Sequence, residues 1–347
     1  MRKARVVLRE QNAFYHCTSK TVNGAFLFRD PGNKEVVQRI LHRVAFFSGV
    51  KVLTYCLMDN HFHILVQIPE KRLMTVTDEE LIERYAVLYS VMEPHRQHDK
   101  AASYAPSTVA QIKQTLRNGG EDAQEMRERL FARMYDLSEF MKTFKQRVTT
   151  WYNATFERFG PLWYDRFHSV LVQGKKNVLL IMAAYIDLNP VRARLVKDPA
   201  DYLFCGYGEA VQRKSGNCRL GIATICGATL TNPQDEGDWQ SVQDAYRQSL
   251  YGQGSAPRRS GYLLTKYPPK PPPEITSSGC ETNQNDFLLE PQPGLERGLI
   301  FGEIPYLQKL EELSPQEVSF SAKPRPLLET KNRIIGVGRL WRSVKSL

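Results

Sequence analysis

The chain has 347 residues, with 47 Lys and Arg against 37 Asp and Glu, a formal charge of +10, and 42% hydrophobic residues. That content supplies a real core and excludes wholesale disorder, and no apolar run reaches the roughly 18 residues of a membrane span. The excess positive charge points to a polyanionic partner; six widely separated cysteines with no C-x-x-C pair argue against a disulfide scaffold and against a structural zinc site.

The opening Met1-Arg2-Lys3-Ala4-Arg5 is basic and leads into a mixed segment rather than an apolar one. The expectation is therefore a chain without a signal peptide, in a reducing, cytoplasmic setting. Residues 14–20 are aromatic and β-branched and predict a first strand, followed by a turn at Asn23-Gly24. Asn33 is placed to cap a helix to Ser48, with Val37, Ile40, Leu41, Val44 and Phe47 at helical spacing and Gly49 as its stop. Residues 50–57 and 61–68 predict two strands, and the short link Met58-Asp59-Asn60 makes them an antiparallel hairpin.

Residues 70–136 are charged and broken by Gly119-Gly120, and predict a mostly helical insertion. From Ser138 the stripe Phe140, Met141, Phe144, Val148, Trp151 and Tyr152 predicts a further helix, closed by Gly160-Pro161. Residues 167–173 predict a fourth strand. Asn177 is placed to cap a helix that ends near Asn189, because Pro190 disfavours helical geometry in the residue before it. The order predicts an α+β fold: a split βαβ (ferredoxin-like) antiparallel sheet with helices on one face, a helical insertion and a Pro-rich C-terminal extension. Residues 1–210 form the main unit in this reading. After it come a helical or irregular extension (211–253), a Pro/Ser-rich linker (254–299) and a basic tail (300–347).

Alternation in the third strand carries the chemistry. Phe62, Ile64, Val66 and Ile68 share one face, and His61, His63, Leu65 and Gln67 share the other. Two imidazoles two residues apart project together, and such a pair either ligates one cation or merely decorates a half-buried sheet. On the helix 177–189, Tyr185 and Asn189 lie one turn apart. A phenol is a potential nucleophile and a carboxamide oxygen a hard-metal ligand; equally, Tyr packs in cores and Asn before Pro stops helices.

Taken together, these residues resemble a known family. His61-Phe62-His63 looks like the paired-histidine motif of the single-tyrosine HUH transposases. The run Tyr185-Ile186-Asp187-Leu188-Asn189-Pro190-Val191-Arg192-Ala193 resembles the tyrosine helix of their REP-associated branch. Trp163, Arg166 and Phe167 fit that branch's W-x-x-R-F segment, and Tyr15-His16 its opening strand. The resemblance covers about residues 14–70 and 138–207. It implies that His61, His63 and Asn189 bind a divalent metal, Mg²⁺ or Mn²⁺, and that Tyr185 attacks a phosphodiester to leave a 5′-phosphotyrosine. Asp59 departs from the Pro that the family often has there, which is expected to alter the turn but not the ligands.

The implied activity is that of a metal-dependent single-stranded DNA endonuclease and strand transferase acting at hairpin DNA. No P-loop is present, in keeping with chemistry that conserves the phosphoester energy. Lys142, Lys145 and Arg147 beside Trp151 and Tyr152, Arg166 beside Trp163 and Tyr164, and Arg192 within the tyrosine motif are the expected DNA contacts. One tyrosine serves two strand transfers either as a homodimer or by sequential use of one site. Two other readings compete: a catalytically silent nucleic-acid-binding module on the same fold, and a hydrolase acting through metal-bound water. The first lacks an RNP-type aromatic pair on the third strand, and the second lacks further clustered ligands.

Overall fold

A computed structural model describes residues 6–8, 11–89, 105–251, 300–302, 306, 310, 318–320 and 334–336. Four strands form the predicted antiparallel sheet: β2 (Ala13–Lys20), β3 (Lys51–Leu57), β4 (His61–Ile68) and β5 (His168–Val172). Their order is β3-β4-β2-β5, so each crossover skips a strand, as a split βαβ plan requires. Two short strands, β6 (Ile300–Gly302) and β8 (Ile334–Gly336), extend the β5 edge in parallel, while β1 (Val6–Leu8) pairs with β7 (Val318–Phe320). The expected linker at 254–299 lies outside the described residues.

Crossover helices α1 (Pro31–Ser48) and α5 (Leu137–Thr155) pack on one face of the sheet. The apolar face of β4 meets them as predicted: Phe62 sets its ring edge-on to Phe144, centroids 5.3 Å apart, and Val37, Ile40, Leu41, Phe140 and Val148 are all buried. Two predicted helix starts are corrected. Asp30, not Asn33, caps α1, its carboxylate accepting the Asn33 N–H at 3.1 Å, with Pro31 supplying the fixed φ of a first helical residue. Asn177 lies inside α6 (Lys176–Asp187), whose N-cap Lys175 makes no side-chain capping bond. Gly49, at φ +67°, terminates α1 as expected. The insertion supplies α2 (Asp78–Tyr89), α3 (Ala105–Asn118) and α4 (Gly120–Ala132); residues 90–104 are outside the described set.

The second face of the sheet, the histidine face, is also covered. Helix α6 lies across it, and a short turn of helix, α7 (Asn189–Arg192), follows. Helices α8 (Gly206–Gln212), α9 (Gly216–Cys226) and α10 (Glu236–Tyr251) then wrap the β3 edge and back α6. Exposed strand edges invite pairing with other chains, and here Leu57 N–H bonds the Phe204 carbonyl at 2.9 Å while α9 closes on the β3 backbone. The closeness depends on Gly221: a Cβ there would sit 2.3 Å from the Leu53 carbonyl oxygen and 2.9 Å from its Cα. Gly221→Ala is accordingly expected to lower stability by about 2 kcal/mol, read as a shifted denaturant midpoint at unchanged slope. An unchanged midpoint would show that α9 does not depend on this approach.

Candidate metal and tyrosine site

Register brings the histidines together. In the β2–β4 ladder Thr18 lies opposite His63 and Lys20 opposite His61, so His16, Thr18, His61 and His63 occupy one sheet face. His16 reaches diagonally to His63: Nε2 and Nδ1 are 2.9 Å apart, and the rings stack with centroids 5.1 Å apart and planes 11° apart. His61 stands edge-on to His63 at 5.2 Å, and its Nδ1 lies 2.7 Å from the Asn60 Oδ1.

Tyr185 comes from the facing helix. Its ring meets His63 at 5.8 Å and His16 at 6.0 Å, both edge-on, and it is 1% exposed. The Arg192 guanidinium lies over the same ring, 4.1 Å from its centroid, and donates to the Tyr185 carbonyl. The Asn189 amide nitrogen donates to the Tyr185 and Ile186 carbonyls, each at 3.1 Å, closing the helix end. Its other terminal atom, the carboxamide oxygen, is the one suited to a cation. Phenol and imidazoles thus meet within a single chain.

His63 is 1% exposed, and its Nε2 is a buried nitrogen without a hydrogen-bond partner. An uncompensated buried polar atom is costly and calls for an explanation. Burial, reinforced by the neighbouring His16, His61 and Arg192, holds its pKa well below the ordinary histidine value, so the ring is neutral. In the tautomer with its proton on Nδ1, His63 presents an unprotonated Nε2, the form of imidazole that a divalent ion takes. His16 was legible only as part of a motif; its bond to His63 needed the β2–β4 register.

On its other side α6 is clamped by the extension. Asp187, fully buried, accepts from the Thr54 hydroxyl at 2.8 and 3.0 Å and from the Tyr246 hydroxyl at 2.5 Å. Burial raises its pKa to about 6 against the opposing pull of those donors. Asp59, in the hairpin link, pairs with Lys34 at 2.6 Å and anchors the turn to α1.

The expected DNA contacts are scattered. Lys142 is exposed and pairs with Glu139 at 3.1 Å. Lys145 donates to the Asp165 carbonyl at 2.7 Å and lies over the Trp163 ring, whose Nε1 donates back to the Lys145 carbonyl at 3.1 Å. Arg166 is exposed beside Asp165. Arg147 instead stacks on Tyr89 of α2 at 4.9 Å, where burial lowers its pKa. Tyr164, largely exposed, bonds through its N–H to the Lys20 carbonyl at 3.0 Å, beside the His61 end of the hairpin.

Residues 10–111 match the family model described as "Transposase IS200 like". The chain is similar to the IS200-like transposases. That transposase-like stretch contains β2, α1, the paired-histidine hairpin and the start of the insertion, and stops before α5 and the tyrosine helix. Among solved structures, one described as "Structure of the REP associates tyrosine transposase bound to a REP hairpin" is similar at 12% identity and TM-score 0.32. The likeness covers 61% of this chain and 87% of that one. No curated protein matches at a significant level. The family match spans less than half of the chain and takes in the strand that carries the paired histidines. Among the described residues no helix is long and apolar enough to cross a membrane.

Proposed function

We propose that the chain is a metal-dependent single-stranded DNA endonuclease and strand transferase, a transposase that forms a 5′-phosphotyrosine through Tyr185 at hairpin-associated sites. The observation that carries this reading is the meeting of Tyr185 with His63, whose Nε2 is buried without a partner. His61 and His63, through their Nε2 atoms, and the Asn189 carboxamide oxygen would hold Mg²⁺ or Mn²⁺. No carboxylate belongs to that ligand set, so the ion, when bound, supplies nearly its full charge to polarise a phosphate.

The chain's own residues do the rest. The Tyr185 oxygen bonds to phosphorus as the P–O3′ bond breaks; the phenol gives up its proton and the departing 3′-oxygen takes one up. A phosphotyrosine retains the ester energy, so a second 3′-OH reverses the step without ATP. Arg192 covers the buried ring, and its guanidinium would be a cation close to any phosphate brought to Tyr185. Lys145, Arg166 and the exposed Tyr164 line the approach to the His61 end, where bases stack and the backbone is held.

Incubation of the chain with a 3′-labelled hairpin single strand and Mn²⁺ tests the reading. The expected result is a labelled, denaturation-resistant protein–DNA adduct that maps to Tyr185. Tight binding with no cleavage under the same conditions would make the chain a silent binding module. Cleavage to free phosphates with no adduct would make it a hydrolase.

His16 acts in this site as a positioning residue. For His63 to ligate through Nε2, its proton resides on Nδ1 and is donated to His16 Nε2, which fixes ring orientation and basicity. His16→Ala is expected to weaken Mn²⁺ binding about tenfold or more by calorimetry, while His16→Gln, which keeps an acceptor, recovers most of it. A melting temperature that falls in both variants at unchanged Mn²⁺ affinity would reduce His16 to a packing role.

A further inference from the structure

A second cluster of ligating side chains lies at the β3 edge, across the sheet from His63. Tyr55, opposite Ile64 in the ladder, points to the α1 face, and around its hydroxyl three elements converge. His42 comes from α1, Glu209 from α8 and Cys218 from α9. His42 Nε2 is 2.8 Å from Glu209 Oε2, Cys218 Sγ is 3.1 Å from the same oxygen, and all three ligand atoms lie within 4.8 Å of one another.

We propose that His42, Glu209 and Cys218 form a second metal site, separate from the tyrosine site, which takes a borderline-soft divalent ion of the Zn²⁺ class and fastens the 206–226 segment to the core. The crowding on one atom is the first argument. Glu209 Oε2 faces three donors: the Tyr55 hydroxyl at 2.5 Å, the His42 ring and the Cys218 thiol. A carboxylate oxygen offers two lone pairs, so a third donor is surplus. An ion at this junction replaces the His42 and Cys218 contacts with coordination bonds of about 2.0–2.3 Å and leaves the Tyr55 bond in place.

Donor chemistry selects the ion. Imidazole, thiolate and carboxylate together suit Zn²⁺ or Co²⁺, whereas Mg²⁺ and Ca²⁺ prefer all-oxygen sets. Outer support is built in as well. Tyr55 holds Glu209 and accepts from Gln38 Nε2 at 2.5 Å, and Arg213 donates to Gln38 Oε1 at 3.1 Å. Glu209 and Cys218 are buried, while His42 is 24% exposed, which leaves one side for entry and for a water as fourth ligand. The cysteine spacing that argued against a zinc site is silent about a mixed set drawn from three helices.

Cobalt reads this site directly, because a thiolate bound to Co²⁺ gives a near-ultraviolet charge-transfer band. The test is a Co²⁺ titration of the full chain carrying His61→Ala and His63→Ala, which removes the other site. The expected result is one equivalent with a charge-transfer band that Zn²⁺ abolishes on displacement. Adding Cys218→Ser removes the band and weakens Zn²⁺ binding at least about a hundredfold, while Cys56→Ser leaves both intact. In the unsubstituted chain, Zn²⁺ raises the melting temperature. Absence of the band at saturating Co²⁺ in folded protein would overturn the proposal in favour of a hydrogen-bonded His42–Glu209 pair with no metal role. A band that survives Cys218→Ser would overturn it too.

Discussion

Tyr185→Phe is expected to reduce covalent adduct formation on a hairpin single strand by at least about a thousandfold while leaving DNA binding little changed. The substitution removes one oxygen and keeps the ring. The edge contacts to His16 and His63 and the Arg192 guanidinium over the ring face all survive it. Loss of chemistry then reports on the hydroxyl rather than on packing. The rival within reach of DNA is Tyr164, which is largely exposed beside the His61 end of the hairpin. Tyr164→Phe is expected to weaken strand binding modestly and to leave the adduct on Tyr185. An adduct of undiminished yield in Tyr185→Phe, mapped to Tyr164, would transfer the nucleophile to the surface tyrosine and leave Tyr185 as core. Quenched time courses on a denaturing gel, with peptide mapping of the adduct, separate these outcomes.

The period-two pattern of β4 told which face held the histidines, because alternate residues of a strand point to opposite faces and so separate Phe62, Ile64 and Val66 from His61 and His63, although both faces are covered in the fold. Hairpin and crossover order followed from short links and helical stripes, and with them the sheet order. What stayed hidden depended on contacts between distant segments. His16 is marked only as half of the Tyr15-His16 motif, with no role attached; the β2–β4 register sets it against His63. The second covered face was equally invisible, since residues 211–253 read only as a helical or irregular extension, and the structure is what sets α9 against the β3 edge through Gly221. Arg147 shows the reverse error of scale: a basic residue on an exposed-looking stripe is captured by Tyr89 of the insertion, whose helices the composition revealed but whose docking it did not.

Asp187→Ala is expected to destabilise the chain by about 3 kcal/mol and to abolish adduct formation even where the protein remains folded. Asp187 follows Tyr185 by two residues, so the two side chains leave α6 in nearly opposite directions. Tyr185 faces the imidazoles; Asp187 faces β3 and α10, where the Thr54 and Tyr246 hydroxyls both end on its carboxylate. Its removal strands two buried hydroxyls at once, which is why the expected cost exceeds that of Tyr246→Phe, about 1 kcal/mol for one lost bond. The two residues are joined by one hydrogen bond that each single change removes, so the double variant should fall short of the summed losses by about 0.5 kcal/mol or more. The functional part follows from the clamp. The extension grips the helix that bears the phenol, and releasing it lets Tyr185 drift from His63. Denaturant melts read the stability term and adduct yield reads the positioning term. A folded Asp187→Ala chain with full stability and full adduct yield would show that residues 206–251 cover the tyrosine helix without holding it.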